Sequence, residues 1–162
     1  YRPVAVLLLV LVPLSTLISP NLPVACLLAE RNIESVDDML EAARALQQRG
    51  ASAVLVKGGH MPGNTLSDVL LLADGSKHVF TDARIDTRNT HGTGCTLSAA
   101  IAAHLALGAD MLRAVQRGRD YVRNALTAGA KACIGHGHGP VNHGFDPQPM
   151  HTRPLSGVAA HE

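Results

Sequence analysis

Tryptophan is absent and aromatic residues make up only 2% of the chain. The bases of a single-stranded nucleic acid would find few rings to stack on, and the core must be assembled from Ala, Val, Leu and Ile. Charge of one sign is lacking too: the formal net charge is +1, and Lys and Arg never run in a block longer than two. The electrostatic footprint of a nucleic-acid binder is therefore missing, and a small molecule is the expected ligand. Cysteine is scarce and odd in number. Cys26, Cys95 and Cys133 stand far apart, which fits neither a disulfide framework nor a CxxC zinc site and agrees with a reducing cytoplasm. No membrane is expected as a partner, because the apolar run Val4 to Val12 is broken at Pro13, Ser15 and Thr16, short of the ~18 residues a span requires. Neither a starting Met nor an Ala-x-Ala-like cleavage site marks that run as a signal peptide. A chain that opens at Tyr1 inside an apolar stretch is expected to be part of something longer. No internal repeat recurs at a fixed period.

What is present is 46% apolar content in 162 residues, enough for one compact domain. Residues 3–12 have helical length but no polar face, which implies deep burial or a missing partner. Leu14 to Ser19 reads as a short buried strand ending at Pro20 and Asn21. Ser35 and Asp38 form a variant capping box, followed by Val36, Met39, Leu40, Ala43 and Leu46 at helical spacing until Gly50. Ala53 to Val56 is a continuous apolar run bounded by Gly-Gly, the pattern of a parallel strand buried on both faces. Asp68 to Ala73 and Lys77 to Thr81 flank Asp74-Gly75, a hairpin signal, so a mixed sheet is expected. Residues 95–107 read as a glycine-opened helix closed by Gly108, and a second helix starts near Asp110 with Met111, Val115, Gly118, Val122 and Ala125 along one face. From Pro147 onward no periodicity remains, and residues 147–162 are expected to be a loose tail.

The segment Asn89-Thr90-His91-Gly92-Thr93-Gly94-Cys95-Thr96 carries the most chemistry. Two glycines and two threonines directly before a helix let backbone N–H groups converge, and with the positive end of the helix dipole they suit a phosphate or a transferring phosphoryl group. A tight connection that needs small residues would read the same way. Cys95 in the first turn could serve as a base or polar contact, where the dipole favours a thiolate, or it could be a small core residue. Lys57 ends a buried strand before Gly58-Gly59-His60, which puts its ammonium at the carboxyl end of the sheet, where α/β proteins bind ligands. An ordinary solvated lysine is the alternative. His136, His138 and His143 invite a metal reading, but no Cys or carboxylate completes a tetrahedral set beside them, and no metal ligand is assigned.

Together these segments resemble one family, the hydroxymethylpyrimidine/phosphomethylpyrimidine kinases of thiamine biosynthesis in the ribokinase superfamily. Ser19-Pro20-Asn21-Leu22-Pro23 is similar to its TPNLPE segment and Val56-Lys57-Gly58-Gly59-His60 to its VKGGH. Asn89 to Ala99 is similar to NTHGTGCTLSA, and Gly135 to His143 to GHGxGPVxH. The likeness runs in the right order over residues 8–143, and Cys rather than Asp in the glycine turn separates this branch from sugar kinases. The resemblance implies an α/β ribokinase-like, three-layer αβα fold, of which residues 1–146 are the C-terminal portion. It implies ATP and Mg²⁺, a small pyrimidine substrate, and a homodimer as the macromolecular assembly left open. The reaction implied is phosphorylation of the pyrimidine's hydroxymethyl group and then of the resulting monophosphate. Gly92, Thr93, Gly94 and Cys95 then match the anion hole, with Cys95 as base or its substitute. Lys57, Asn21, Thr90 and His91 match nucleotide-side positions. Two departures stand out: Val24 occupies the place of the carboxylate in the family's Asn-x-x-Glu, and the family's N-terminal, glycine-rich substrate region has no counterpart. The chain by itself is therefore expected not to turn over the pyrimidine. The competing readings are a non-catalytic remnant that binds nucleotide or a partner, and a metal-binding module on the His-rich loop.

Overall fold

The computed structural model describes residues 6–59 and 63–152. Its elements follow in the order α1 (Leu22–Ala29), α2 (Val36–Gln48), β1 (Val54–Lys57), β2 (Thr65–Leu71), β3 (Lys77–Ala83), α3 (Thr93–Ala106) and α4 (Met111–Gly129), preceded by a π-helical turn Leu7–Leu11 and a short α-helical turn Val12–Leu14. The sheet has the order β1-β2-β3 with both ladders antiparallel. Parallel pairing, expected for Ala53 to Val56, is reduced to the bridges Ile18↔Val54 and Asn21↔Lys57. The sheet is mixed only in that sense. The strand expected over Leu14 to Ser19 does not form: Leu14 closes a helical turn, and one bridge at Ile18 is what remains.

Helices cover both faces, because the strands alternate their side chains. Val54, Val56, Val69 and Leu71 pack with Met39, Ala42, Ala43 and Leu46 of α2 and with Ala25 and Leu28 of α1. Leu55 and Leu70 point the other way and pack with Leu97 and Ile101 of α3 and Ala114, Val115 and Val122 of α4. Each such side chain, taken fully from water, contributes about 1.5–3 kcal/mol. This double burial explains the unbroken apolar run at Val54 to Val56, where every residue has 0% exposure. The helices α3 and α4 approach closely at Gly118, where a Cβ would lie 2.8 Å from Ile101 Cγ1.

Local chemistry sets the boundaries. Ser35 accepts from the Asp38 N–H (3.1 Å) while Asp38 accepts from the Ser35 N–H (3.0 Å), a reciprocal capping box that starts α2. Hydrogen bonds from the Ser35 hydroxyl, first, and from the backbone N–H groups hold the Asp38 carboxyl below the usual carboxylate range. The β2–β3 turn closes on Asp74, which accepts from the Ser76 N–H (2.9 Å) and hydroxyl (2.6 Å). β2 begins three residues earlier than its apolar pattern suggested, at Thr65. The helix α1 escaped sequence reading because it is apolar on all sides and carries Pro in its first turn, which leaves no periodicity to detect.

Of the apolar opening stretch, residues 3–5 lie outside the described residues. Val12 is 1% exposed, whereas Leu9, Leu11 and Leu14 remain 78%, 52% and 79% exposed. Of the expected tail, residues 147–152 carry no helix or strand, and 153–162 lie outside the described residues. No helix among the described residues is long and apolar enough to cross a membrane.

Candidate functional site

Lys57 ends β1 between two neighbours. Its N–H donates to the Pro20 carbonyl at 2.9 Å, and on the other side it pairs with Asp68 of β2. The chain then passes so close to β2 at Gly58 that a Cβ there would overlap the Ser67 carbonyl oxygen. The Gly58 N–H donates to Asp68 Oδ1 at 2.9 Å. From this bend the half-buried Lys57 side chain reaches α3, and its Nζ lies 3.6 Å from where a Cβ on Gly94 would stand. Burial pushes the Lys57 pKa below the ordinary lysine value, while nearby Asp68 and Cys95 pull it back up.

The glycine turn is held from behind. Asn89 is buried, and its amide donates to the carbonyls of Gly129 (2.7 Å) and Ala132 (2.8 Å) at the end of α4. The His91 N–H donates to the Gly139 carbonyl at 3.0 Å, so the Gly-His-Gly-His-Gly-Pro segment backs the turn. Gly92 then takes φ 85°, a left-handed conformation that favours glycine. Its carbonyl accepts from both the N–H and the hydroxyl of Thr96, at 2.9 and 2.8 Å. No side chain caps the start of α3. The first-turn N–H groups of a helix have no intrahelical acceptors, and with the helix dipole they attract an anion.

A cleft of about 590 Å³ opens beside this point. Asn21, Lys57, Thr90, Thr93 and Gly94, all singled out in the sequence, line it together. Leu66, Ile85, Val122 and Leu126 add apolar lining, and Arg84, Arg119 and Arg123 add cationic side chains. A polyphosphate at the Lys57 end with a flat, less polar group against Val122 and Leu126 matches this distribution.

Other expected residues fall elsewhere. Gly92 sits behind the wall as the N-cap, and His91 contributes through its backbone. Cys95 is exposed rather than part of the core, and it lines a second cleft of about 580 Å³ with His104, Tyr121 and His143. His60 lies outside the described residues. His136 and His138 are exposed, and among the described residues no three His, Cys, Asp or Glu side chains form a group that could hold a metal ion. At the place of the family carboxylate, Val24 only donates its N–H to Asn21 Oδ1 (3.0 Å). Val24 offers no carboxylate at this place, and no step is routed through magnesium.

Sequence reading missed Asp68 and Arg119. Arg119 is 7% exposed, bonded to Asp68 (2.9 Å) and Asp82 (2.8 Å), with its guanidinium 4.6 Å from the Phe80 ring centre. The available signal was a charged residue beside Gly118 and Val122 on the apolar stripe of a helix, since buried arginines are rare unless paired.

The three-layer α/β arrangement, with helices on both faces of the sheet, places the chain in the ribokinase-like fold class. It is similar to the ADP complex of Bacillus subtilis pyridoxal kinase, with TM-score 0.80 and 34% identity over 88% of this chain and 53% of that one. The chain belongs to the phosphomethylpyrimidine kinase family, whose family model matches residues 2–142. The hydroxymethylpyrimidine/phosphomethylpyrimidine kinase of Rhizobium meliloti is 47% identical over 146 residues, 88% of this chain and 54% of that protein. The kinase of the same description from Escherichia coli is 43% identical over 134 residues, covering 82% and 50%. The chain thus spans about half the length of the curated relatives it matches.

Proposed function

We propose that this chain carries the nucleotide-phosphate side of an ATP-dependent kinase that phosphorylates 4-amino-5-hydroxymethyl-2-methylpyrimidine and then its monophosphate. The observation that carries the reading is the Lys57 ammonium set over Gly94 at a helix start with no side-chain cap. Phosphoryl transfer needs positioning and charge stabilisation more than covalent help from the protein, and backbone N–H groups beside a lysine supply both. In this reading Gly92, Thr93 and Gly94 shape the anion hole, and Lys57 binds the nucleotide's phosphates. Thr90 and Asn21 line the same cleft, and His91 ties the turn to Gly139. Cys95, next to Gly94 in the first turn of α3 and near enough to Lys57 to act on its charge, receives the proton of the attacking hydroxyl or orients it. The ADP complex of the Bacillus subtilis pyridoxal kinase supports the choice of nucleotide. Magnesium enters this reading from the family alone. Three free cysteines agree with a reducing cytoplasm. The exposed Leu9, Leu11 and Leu14 agree with a partner surface such as a second copy.

The test is ATP binding by calorimetry together with pyrimidine-dependent ADP release, with pyridoxal as the control acceptor and light scattering for size. ATP binding that Lys57→Ala abolishes supports the nucleotide role, and no ATP binding at all refutes it. Where turnover is measurable, Cys95→Ala is expected to lower kcat by about 10²-fold with little change in thermal midpoint. An unchanged kcat removes Cys95 from the chemistry. ATP binding with no turnover of either acceptor favours a non-catalytic nucleotide-binding chain.

A further inference from the structure

The carboxylate of Asp68 uses both oxygens at the mouth of the cleft. Oδ1 accepts from the Gly58 N–H at 2.9 Å, and Oδ2 accepts from Arg119 Nε at 2.9 Å. Its strand position is directly opposite Lys57. Arg119 in turn is clamped by Asp82 (2.8 Å) and by the face of Phe80, and Asp82 also pairs with Arg123 at 3.3 Å. A guanidinium held on three sides and 7% exposed has little freedom to reach a ligand. It is better suited to holding something else in place, since a planar fork satisfies two carboxylates at fixed angles.

We propose that Asp68 is a positioning residue for the phosphate end of the cleft, fixing the bend at Gly58 so that the Lys57 ammonium stays over Gly94, and that Arg119 acts through Asp68 rather than on the ligand. This deepens the nucleotide reading and rests on it. Gly58 is buried, so its N–H needs an acceptor, and Asp68 of β2 supplies it. Without it the bend loses its bond, and the lysine that follows the same backbone loses both its alignment and a nearby negative charge. The groups facing Lys57 are Asp68 from β2 and Cys95 from α3, both of which favour the ammonium. Arg84 from the segment after β3 and Arg119 from α4 carry like charge in the same cleft, and Arg119 also engages the Asp68 carboxylate. Removing Asp68 or Arg119 should therefore move the titration of Lys57 in opposite directions, which a purely structural role would not do.

The experiment measures binding of tripolyphosphate and of ATP to the chain from neutral to alkaline pH, with thermal midpoints recorded alongside. Asp68→Asn is expected to weaken binding on the order of tenfold at neutral pH and to move the alkaline loss of binding to lower pH. Arg119→Gln should move that loss to higher pH. In Asp68→Asn combined with Lys57→Arg the alkaline loss should vanish, because a guanidinium does not titrate in this range. The titration of Lys57 is also followed directly by ¹⁵N NMR, in the absence of ligand. If Asp68→Asn lowers the thermal midpoint but leaves the affinity and the alkaline limb unchanged, the proposal is overturned. If the wild-type chain binds neither probe, the nucleotide reading fails on its own. The NMR titration then decides about Asp68: a downward shift in Asp68→Asn supports its hold on Lys57, and no shift refutes it. Should Asp68→Asn not fold, the direction of the Arg119→Gln limb serves as the same test.

Discussion

Among the described residues, three of the four helices of eight residues or more begin on a side chain, whereas α3 begins on a glycine. Asn21, Ser35 and Asp110 each accept a first-turn N–H of α1, α2 and α4. At α3 the N-cap is Gly92, which offers no side chain. A side-chain cap uses a first-turn amide inside the molecule and stabilises it by about 1 kcal/mol, while glycine at that place gives up only a few tenths. At the start of α3 the Thr93 N–H goes to the Thr90 carbonyl at 3.4 Å, and the N–H groups that follow it are not taken by a side-chain cap, at small cost in stability. The same helix start faces Lys57, which is held away from bulk water, so an available set of amides and a half-buried cation meet at one point of the cleft. The start of α1 also lies beside Lys57, through the bridge at Asn21, but there the Asn21 side chain already takes the Val24 N–H. Local hydrogen-bond accounting alone thus separates the ends that close the fold from the one that is open to a ligand.

The largest expected effect sharpens this contrast. Lys57→Ala should weaken tripolyphosphate or ATP binding by about 10- to 100-fold, the scale of a lost hydrogen bond to a charged group, whereas Ser35→Ala and Asp110→Ala should leave the calorimetric affinity unchanged. Equal losses in all three variants would break the distinction between the helix starts. A smaller effect belongs to Gly92→Ala. A Cβ there meets no neighbour, so the cost is conformational: φ 85° should destabilise the variant by about 1–2 kcal/mol in denaturant titrations. Its affinity should fall as well, because the first turn of α3 shifts with it. Unchanged affinity at equal loss of stability would make the turn a mere connection.

The smallest effect lies at a side-chain cap. Ser35→Ala should cost about 1 kcal/mol at neutral pH. The Ser35 hydroxyl is also the first cause of the depressed pKa of Asp38. A depressed carboxylate contributes stability that is present above its unfolded pKa and lost as pH falls through the lowered folded one. The gap between wild type and Ser35→Ala should therefore narrow in acid, as read from thermal midpoints against pH. A gap that stays constant would show that the hydroxyl acts on the amides alone.

How far the chain could be read in advance depended on whether the signal was local. The capping box at Ser35 and Asp38, the turn at Asp74-Gly75 and the amphipathic stripe of α4 are each decided within a few residues, and all three form. The strand expected over Leu14 to Ser19 had the right composition, but a strand exists only by pairing, and within that segment Ile18 alone forms a bridge among the described residues. The helix α1 forms where apolar residues on all sides left no period to read. At the site, the glycine turn and Lys57 were legible because their residue types are unusual at a helix start and a strand end. Asp68 and Arg119 were not, because they are 51 residues apart and meet only when β2 and α4 pack.

The sequence by itself determined both ends of α2, the starts of α3 and α4, the β2–β3 hairpin, the doubly buried strand and the glycine-opened turn, since caps, turns and periodicity act over a few bonds. Tertiary structure alone decided that Lys57 reaches Gly94, that the guanidinium of Arg119 is buried between Asp68 and Asp82, and that Cys95 faces a different cleft from its neighbour Gly94. The physical reason is distance along the chain: a buried charge becomes tolerable only through partners that folding brings to it, and no local pattern names those partners.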